Sequence, residues 1–164
     1  DSKITVKDQV YTGKALKPAV KVVLNGKTLT RGSDYTVSYS YNTDIGTALV
    51  EVTGIGDYTG TAMSTFRINP RAVTGLKLTA GKGRLTASWK KSPGDVDGYQ
   101  LQYGLKKYFR GAKKVTVRKA ATLKKVLKNL KKGKTYYVRI RTWKTDSGKK
   151  YWSAWSGAKR VRVK

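Results

Sequence analysis

Apolar residues recur at every second position through most of the chain, the period of strands with one buried face. Ile4 and Val6 alternate with polar neighbours. The run from Ala19 to Leu24 ends at Asn25-Gly26, a dipeptide suited to a two-residue hairpin because both central residues take positive φ; residues 27–30 return from it. Tyr35, Val37, Tyr39 and Tyr41 alternate with Thr36, Ser38 and Ser40, which predicts a half-buried strand with one aromatic face. Residues 48–52 and 63–68 predict two further strands around a glycine-rich loop at 54–60. Asn69-Pro70 then breaks the pattern, since proline donates no ladder hydrogen bond. Downstream the alternation predicts seven strands. They are residues 73–79, residues 85–89 around Trp89, residues 99–103, the pair Val115 and Val117, a strand near 123–127, the pair Val138 and Ile140, and the pair Val161 and Val163.

The first set resembles the short immunoglobulin-like repeats in secreted proteins of Gram-positive bacteria. The residues that carry the resemblance are Tyr11-Thr12-Gly13, the segment from Leu29 to Tyr39, Gly46-Thr47-Ala48 and Gly54-Ile55-Gly56-Asp57-Tyr58-Thr59-Gly60-Thr61. It implies a β-sandwich used as a spacer or adhesive module. The second set resembles a fibronectin type III domain. Trp89 stands in the second strand, Asp97-Gly98-Tyr99 opens the third, and the segment from Leu130 to Arg141 matches the part of that family that carries a tyrosine corner. The resemblance implies that Tyr136 bonds back to the turn starting at Leu130. Taken alone, residues 120–132 predict a basic amphipathic helix, with Leu123, Val126, Leu127 and Leu130 at helical spacing. The spacing from Leu130 to Tyr136 fits the turn after a strand, and a strand is the expectation. The expected fold is all-β: two β-sandwich domains in tandem, an Ig-like domain at 1–70 and a fibronectin type III domain at 71–164.

Charge sharpens that division. Residues 1–70 carry 8 Lys/Arg and 6 Asp/Glu, a net of +2, whereas residues 71–164 carry 28 and 3, a net of +25. The second half must attract polyanions and repel its own copies. Cys and His are both absent, which removes thiolate nucleophiles, disulfides, the commonest general base and the commonest transition-metal ligands. Neither a cofactor nor an enzymatic activity is expected, and no apolar run is long enough to span a bilayer. The chain begins with Asp1 rather than Met, as a piece of a longer protein would.

Few constellations offer chemistry. Asp95 and Asp97 share a loop, but no distal Glu follows to complete a calcium site, and aspartates at turns commonly bond their own backbone. Glu51, the single Glu, is a conceivable acid for a Lys–Asn amide cross-link of the kind found in Gram-positive surface domains, yet it alternates with Val50 and Val52 and is expected to face water. Trp152-Ser153-Ala154-Trp155-Ser156 resembles the Trp-Ser-x-Trp-Ser signature of class I cytokine receptors, whose indoles interleave with arginines. Arg139 and Arg141 alternate on the strand expected alongside, which predicts a structural Trp–Arg ladder.

The lysines form the broadest signal. Lys106, Lys107, Arg110, Lys113 and Lys114 cluster around Tyr108 and Phe109, with Lys124 and Lys125 further on, and these seven are the candidate polyanion-binding residues. Strand lysines also serve to blunt sheet edges, but that role does not explain the scarcity of acids. No helix suited to a major groove and no base-stacking platform is foreseen, so nucleic acid is expected to bind only non-specifically. The sequence therefore reads as a non-catalytic spacer, anchor or adhesion module of a secreted or cell-wall-associated bacterial protein. Its expected partners are other domains of a longer chain and polyanions such as teichoic acid or glycosaminoglycan. The alternative is an accessory module of a surface enzyme whose catalytic domain lies elsewhere.

Overall fold

The computed structural model describes residues 2–164, and every regular element among them is a β-strand. The chain divides into two compact units, the first ending at Asn69 and the second comprising Pro70–Lys164.

The first unit contains β1 (Ser2–Val6), β2 (Gln9–Val10), β3 (Val20–Leu24), β4 (Lys27–Thr28), β5 (Tyr35–Ser40), β6 (Gly46–Gly54) and β7 (Thr61–Asn69). They form two sheets, ordered β1-β3-β4 and β2-β7-β6-β5. Asn25 and Gly26 turn β3 into β4 with φ of 47° and 84°. Their alternating residues meet in a core that includes Val20, Val22, Tyr35, Ala48, Val50, Val52, Phe66 and Ile68. Two tyrosines of β5 tie it to the segment around β3. The Tyr35 hydroxyl donates to the Val20 carbonyl at 2.8 Å, and that of Tyr39 to the Pro18 carbonyl at 2.6 Å.

Two features of this unit differ from the alternation. Tyr41 does not continue the aromatic face: β5 stops at Ser40, and Tyr41 takes φ 55° with its side chain 81% exposed. The two-residue β2 is too short to show a period, yet it pairs parallel to β7 and covers one edge of its sheet. Glu51 lies on the outer face of β6, opposite Ser38 and Met63.

The second unit contains β8 (Lys77–Gly81), β9 (Arg84–Ser88), β10 (Gly98–Gly104), β11 (Lys113–Val117), β12 (Lys124–Leu127), β13 (Thr135–Asp146), β14 (Lys149–Trp152) and β15 (Lys159–Arg162). One sheet has the order β12-β9-β8; the other runs β11-β10-β13-β14, with β15 also on β13. Their inner faces supply Leu85, Ala87, Tyr99, Leu101, Val117, Leu127, Val138 and Ile140 to a single core that also holds Trp89 and Tyr136. Trp89 packs edge-on to Tyr99 with ring centroids 5.3 Å apart.

The stretch with helical spacing is a strand. β12 pairs with β9, and Leu127 faces the core opposite Leu85. Lys125 falls on the same side, opposite Ala87, and is half-buried, while Val126 points outward. An inward cation on an edge strand discourages further pairing, which is why the apolar pattern here misleads. The first strand lies later than expected: Val73 and Leu76 are buried, but pairing starts only at Lys77. Eight strands stand in place of seven because Ser147-Gly148, with φ of 48° and 75°, folds β14 back on β13.

Two residues hold local geometry that the core alone does not fix. The Tyr136 hydroxyl accepts the Lys131 N–H at 3.1 Å and so pins the turn between β12 and β13. A Cβ at Gly98 would run into the Val117 carbonyl oxygen of the neighbouring strand. Tyr136→Phe is expected to leave that amide without its partner and to cost about 1–2 kcal/mol in urea unfolding of the full chain. Gly98→Ala is expected to cost at least ~2 kcal/mol by forcing β10 from β11. Gly157→Ala, with open space around its Cβ, serves as the neutral control in the same measurement.

Candidate functional site

β13 separates two environments in the second unit. Its inward residues Tyr136, Val138, Ile140 and Thr142 are buried. Its outward residues Arg139 and Arg141 lie against Gln102 and Gln100 of β10, directly across in register. Gln102 Oε1 accepts from Arg139 Nε at 2.8 Å, and Gln100 Oε1 accepts from Arg141 at 3.1 and 2.7 Å. With their edges held, both guanidinium planes offer their faces to aromatic rings.

The rings come from three places. Arg141 stacks on Trp152 at 3.7 Å and on Trp155 at 4.4 Å. Arg139 stacks on Trp155 at 4.6 Å and on Phe109 at 4.3 Å. At the other end the Lys150 ammonium lies 4.3 Å from Trp143 and 5.4 Å from Trp152. The stack therefore runs Lys150, Trp152, Arg141, Trp155, Arg139, Phe109, with Trp143 beside Trp152. Burial, and then the neighbouring Arg139 charge, hold Arg141 below its ordinary pKa.

The serines of the motif explain how two arginines two residues apart meet two indoles three apart. Ser153 N–H donates to the Thr142 carbonyl, and the Ser153 hydroxyl accepts the Thr142 N–H, both at 3.0 Å. Ser156 repeats this exchange with Ile140 at 2.7 and 3.0 Å. Each hydroxyl replaces a missing ladder carbonyl, so three residues on this segment satisfy two on β13. Phe109 could not be read as a ladder member, because it belongs to the loop between β10 and β11 and reaches Arg139 only by adopting φ 59°. Positive φ is rare for a bulky residue, and its 8% exposure shows the ring tucked onto the sheet.

The candidate basic residues are dispersed over the unit, with one exception. Lys114 lies on the outer face of edge strand β11, Lys124 on edge strand β12, and Lys125 on the core-facing side of β12. Lys107 sits 5.6 Å from the ring of Tyr108, itself 85% exposed. Lys106, Arg110 and Lys113, however, converge with Lys128 and Lys131 around one recess of about 520 Å³. Its walls are the β10–β11 and β12–β13 loops, and Tyr103, Leu130 and Tyr136 also line it. Two clusters separate in sequence thus meet in space. The sequence marks Lys106, Arg110 and Lys113 as candidates, and the fold adds Lys128 and Lys131 to them.

The acids are kept elsewhere. Lys144 bridges Asp95 at 2.6 Å and Asp97 at 3.5 Å, and Asp97 also accepts the Thr145 N–H at 2.7 Å. The hydrogen bond that Lys144 donates to Asp95, foremost, raises the Lys144 pKa. An ammonium thus occupies the ground between the two carboxylates considered for calcium.

Structural comparison places this architecture among known sandwiches. A two-domain fibronectin type III segment of chicken tenascin superposes with a TM-score of 0.63 at 12% identity, covering 99% of this chain and 98% of that one. The FN1–FN3 domains of chicken CNTN1 give a TM-score of 0.53 at 15% identity; 98% of this chain is covered, but only 66% of theirs. At these identities the likeness shows the fold. No curated protein matches the chain in sequence. The sequence model of the fibronectin type III domain matches residues 70–158, the region that contains the corner tyrosine, the ladder and the basic recess. The chain belongs to the fibronectin type III family.

Proposed function

We propose that the chain is a spacer and anchoring or adhesion module of a secreted, cell-wall-associated bacterial protein. In this reading the first unit is an Ig-like surface repeat. The basic fibronectin type III unit is held to polyanions such as teichoic acid or glycosaminoglycan. The family is typically a non-catalytic module of multidomain proteins, which agrees with the lack of His and Cys.

One observation carries the reading: the second unit has a net charge of +25 while its three acids neutralise almost none of it. Two of those acids are spent on one lysine. Lys106, Lys107, Arg110, Lys113, Lys114 and Lys124 are all exposed, and none has an ion-pair partner among the described residues. Counterion release from a polyanion needs this density of free cations and no particular motif.

The full chain is expected to elute late from immobilised heparin. Its affinity should fall by about 10³-fold between about 50 and 200 mM salt if six or more contacts form. Reversing Lys106, Lys107, Lys113 and Lys114 to Glu should shift elution to markedly lower salt. Reversing Lys3, Lys7, Lys14 and Lys17 of the first unit, all exposed, should shift it little. Equal shifts from the two sets, or early elution of the unaltered chain, would leave the lysines as a solvated coat.

A further inference from the structure

We infer that the recess between the β10–β11 and β12–β13 loops is a receptor site for one sugar unit bearing a phosphate or sulfate ester. The inference rests on the polyanion reading and narrows it to a place and a chemistry. Five cations, Lys106, Arg110, Lys113, Lys128 and Lys131, line the recess, and no carboxylate does. None of the five has an ion-pair or side-chain hydrogen-bond partner among the described residues.

The acidic side chains of this unit lie too far along β13 to neutralise them. Asp95 and Asp97 are fixed at Lys144, and Asp146 ends β13, whereas Tyr136 of the recess lies near the start of that strand. Eight residues of strand separate Tyr136 from Lys144. That is roughly 27 Å, more than two Debye lengths at physiological salt. The field in the recess is therefore uncompensated.

Its neutral groups are those that a hydroxyl-rich anion needs. The Tyr136 oxygen accepts from Lys131, which leaves its own proton to donate. The Asn129 side-chain amide lines the recess without a partner among the described residues. Tyr108, exposed on the same loop but outside the recess lining, is a flat ring within the loop's reach. A cavity of about 520 Å³ is of small-ligand size. A duplex would need phosphate contacts along a groove, and an extended peptide would need a strand edge rather than a recess between loops. Single-stranded nucleic acid uses successive stacking rings, and this loop exposes one, Tyr108, because Phe109 is buried in the ladder.

The test is an amide-shift NMR titration of the full ¹⁵N-labelled chain with a sulfated heparin disaccharide, glucose 6-phosphate, inorganic sulfate, a short oligothymidylate and a hexaglutamate peptide. Both sugars are expected to move the amides of Gly104, Gly111 and Asn129 with one saturable affinity, and sulfate alone to bind at least tenfold more weakly. Arg110→Glu with Lys128→Glu should weaken the sugars at least tenfold. Lys149→Glu with Lys159→Glu, an equal charge change outside the recess, should alter them less than threefold. A difference between the two sugars identifies the preferred ester. Sulfate binding as tightly as the sugars, or tighter binding of the oligonucleotide or peptide in the recess, would overturn the inference. Shifts scattered over the unit together with strong heparin retention would overturn the recess and leave the polyanion reading standing. Weak heparin retention would remove both.

Discussion

Repulsion among 28 cations with three carboxylates to offset them is the constraint that shapes the second unit. Its strongest local instance is on β13, where Arg139 and Arg141 stand two residues apart on one face. At a separation near 6.7 Å that pair costs about 0.6 kcal/mol in water-like surroundings and about 2.5 kcal/mol at the effective dielectric of a protein surface. Four guanidinium–ring contacts return about 2–4 kcal/mol at exposed-site values. Stacking therefore offsets the repulsion, and the two glutamines fix the guanidinium planes at which it does so. Most cations not stacked in this way lie on sheet edges or loops, where water and salt screen them, while Lys144 of β13 is held by Asp95 and Asp97. The core between the sheets is held by apolar and aromatic burial and needs no ion pair.

The same constraint accounts for what could be read in advance. The charge step, the period-two pattern and the Asn25-Gly26 turn are local signals, and the strands follow them closely. Tyr136 and the paired serines and tryptophans were legible as motifs because each acts through a fixed spacing to β13. The role of the serine hydroxyls as ladder acceptors was not, since it depends on two strands at once. Lys125 was opaque for the opposite reason: a cation on the core side and Val126 outside invert the pattern locally. Tyr41 looked like a core residue because alternation carries no mark of where a strand stops. The recess was hidden because its two lysine groups belong to loops more than a dozen residues apart, and only the sandwich places them face to face.

Phe109 joins the ladder to the recess. Its ring closes the stack on Arg139, while its backbone belongs to the loop that carries Lys106, Lys107, Tyr108 and Arg110. A positive φ at a bulky residue costs on the order of 1–3 kcal/mol, and it persists where surrounding contacts over-determine it. Here those contacts are the buried ring, the guanidinium face and the turn bonds from Phe109 N–H to the Lys106 carbonyl and from Ala112 N–H to the Phe109 carbonyl. A loop of like charges would otherwise spread outward to separate them. Anchoring it at its middle keeps Lys106 and Arg110 turned toward Lys128 and Lys131, against their mutual repulsion. The ladder thus stabilises more than one sheet face: it holds a concentrated positive charge in a fixed shape, and fixed shape is what the proposed site requires beyond a diffuse cationic coat.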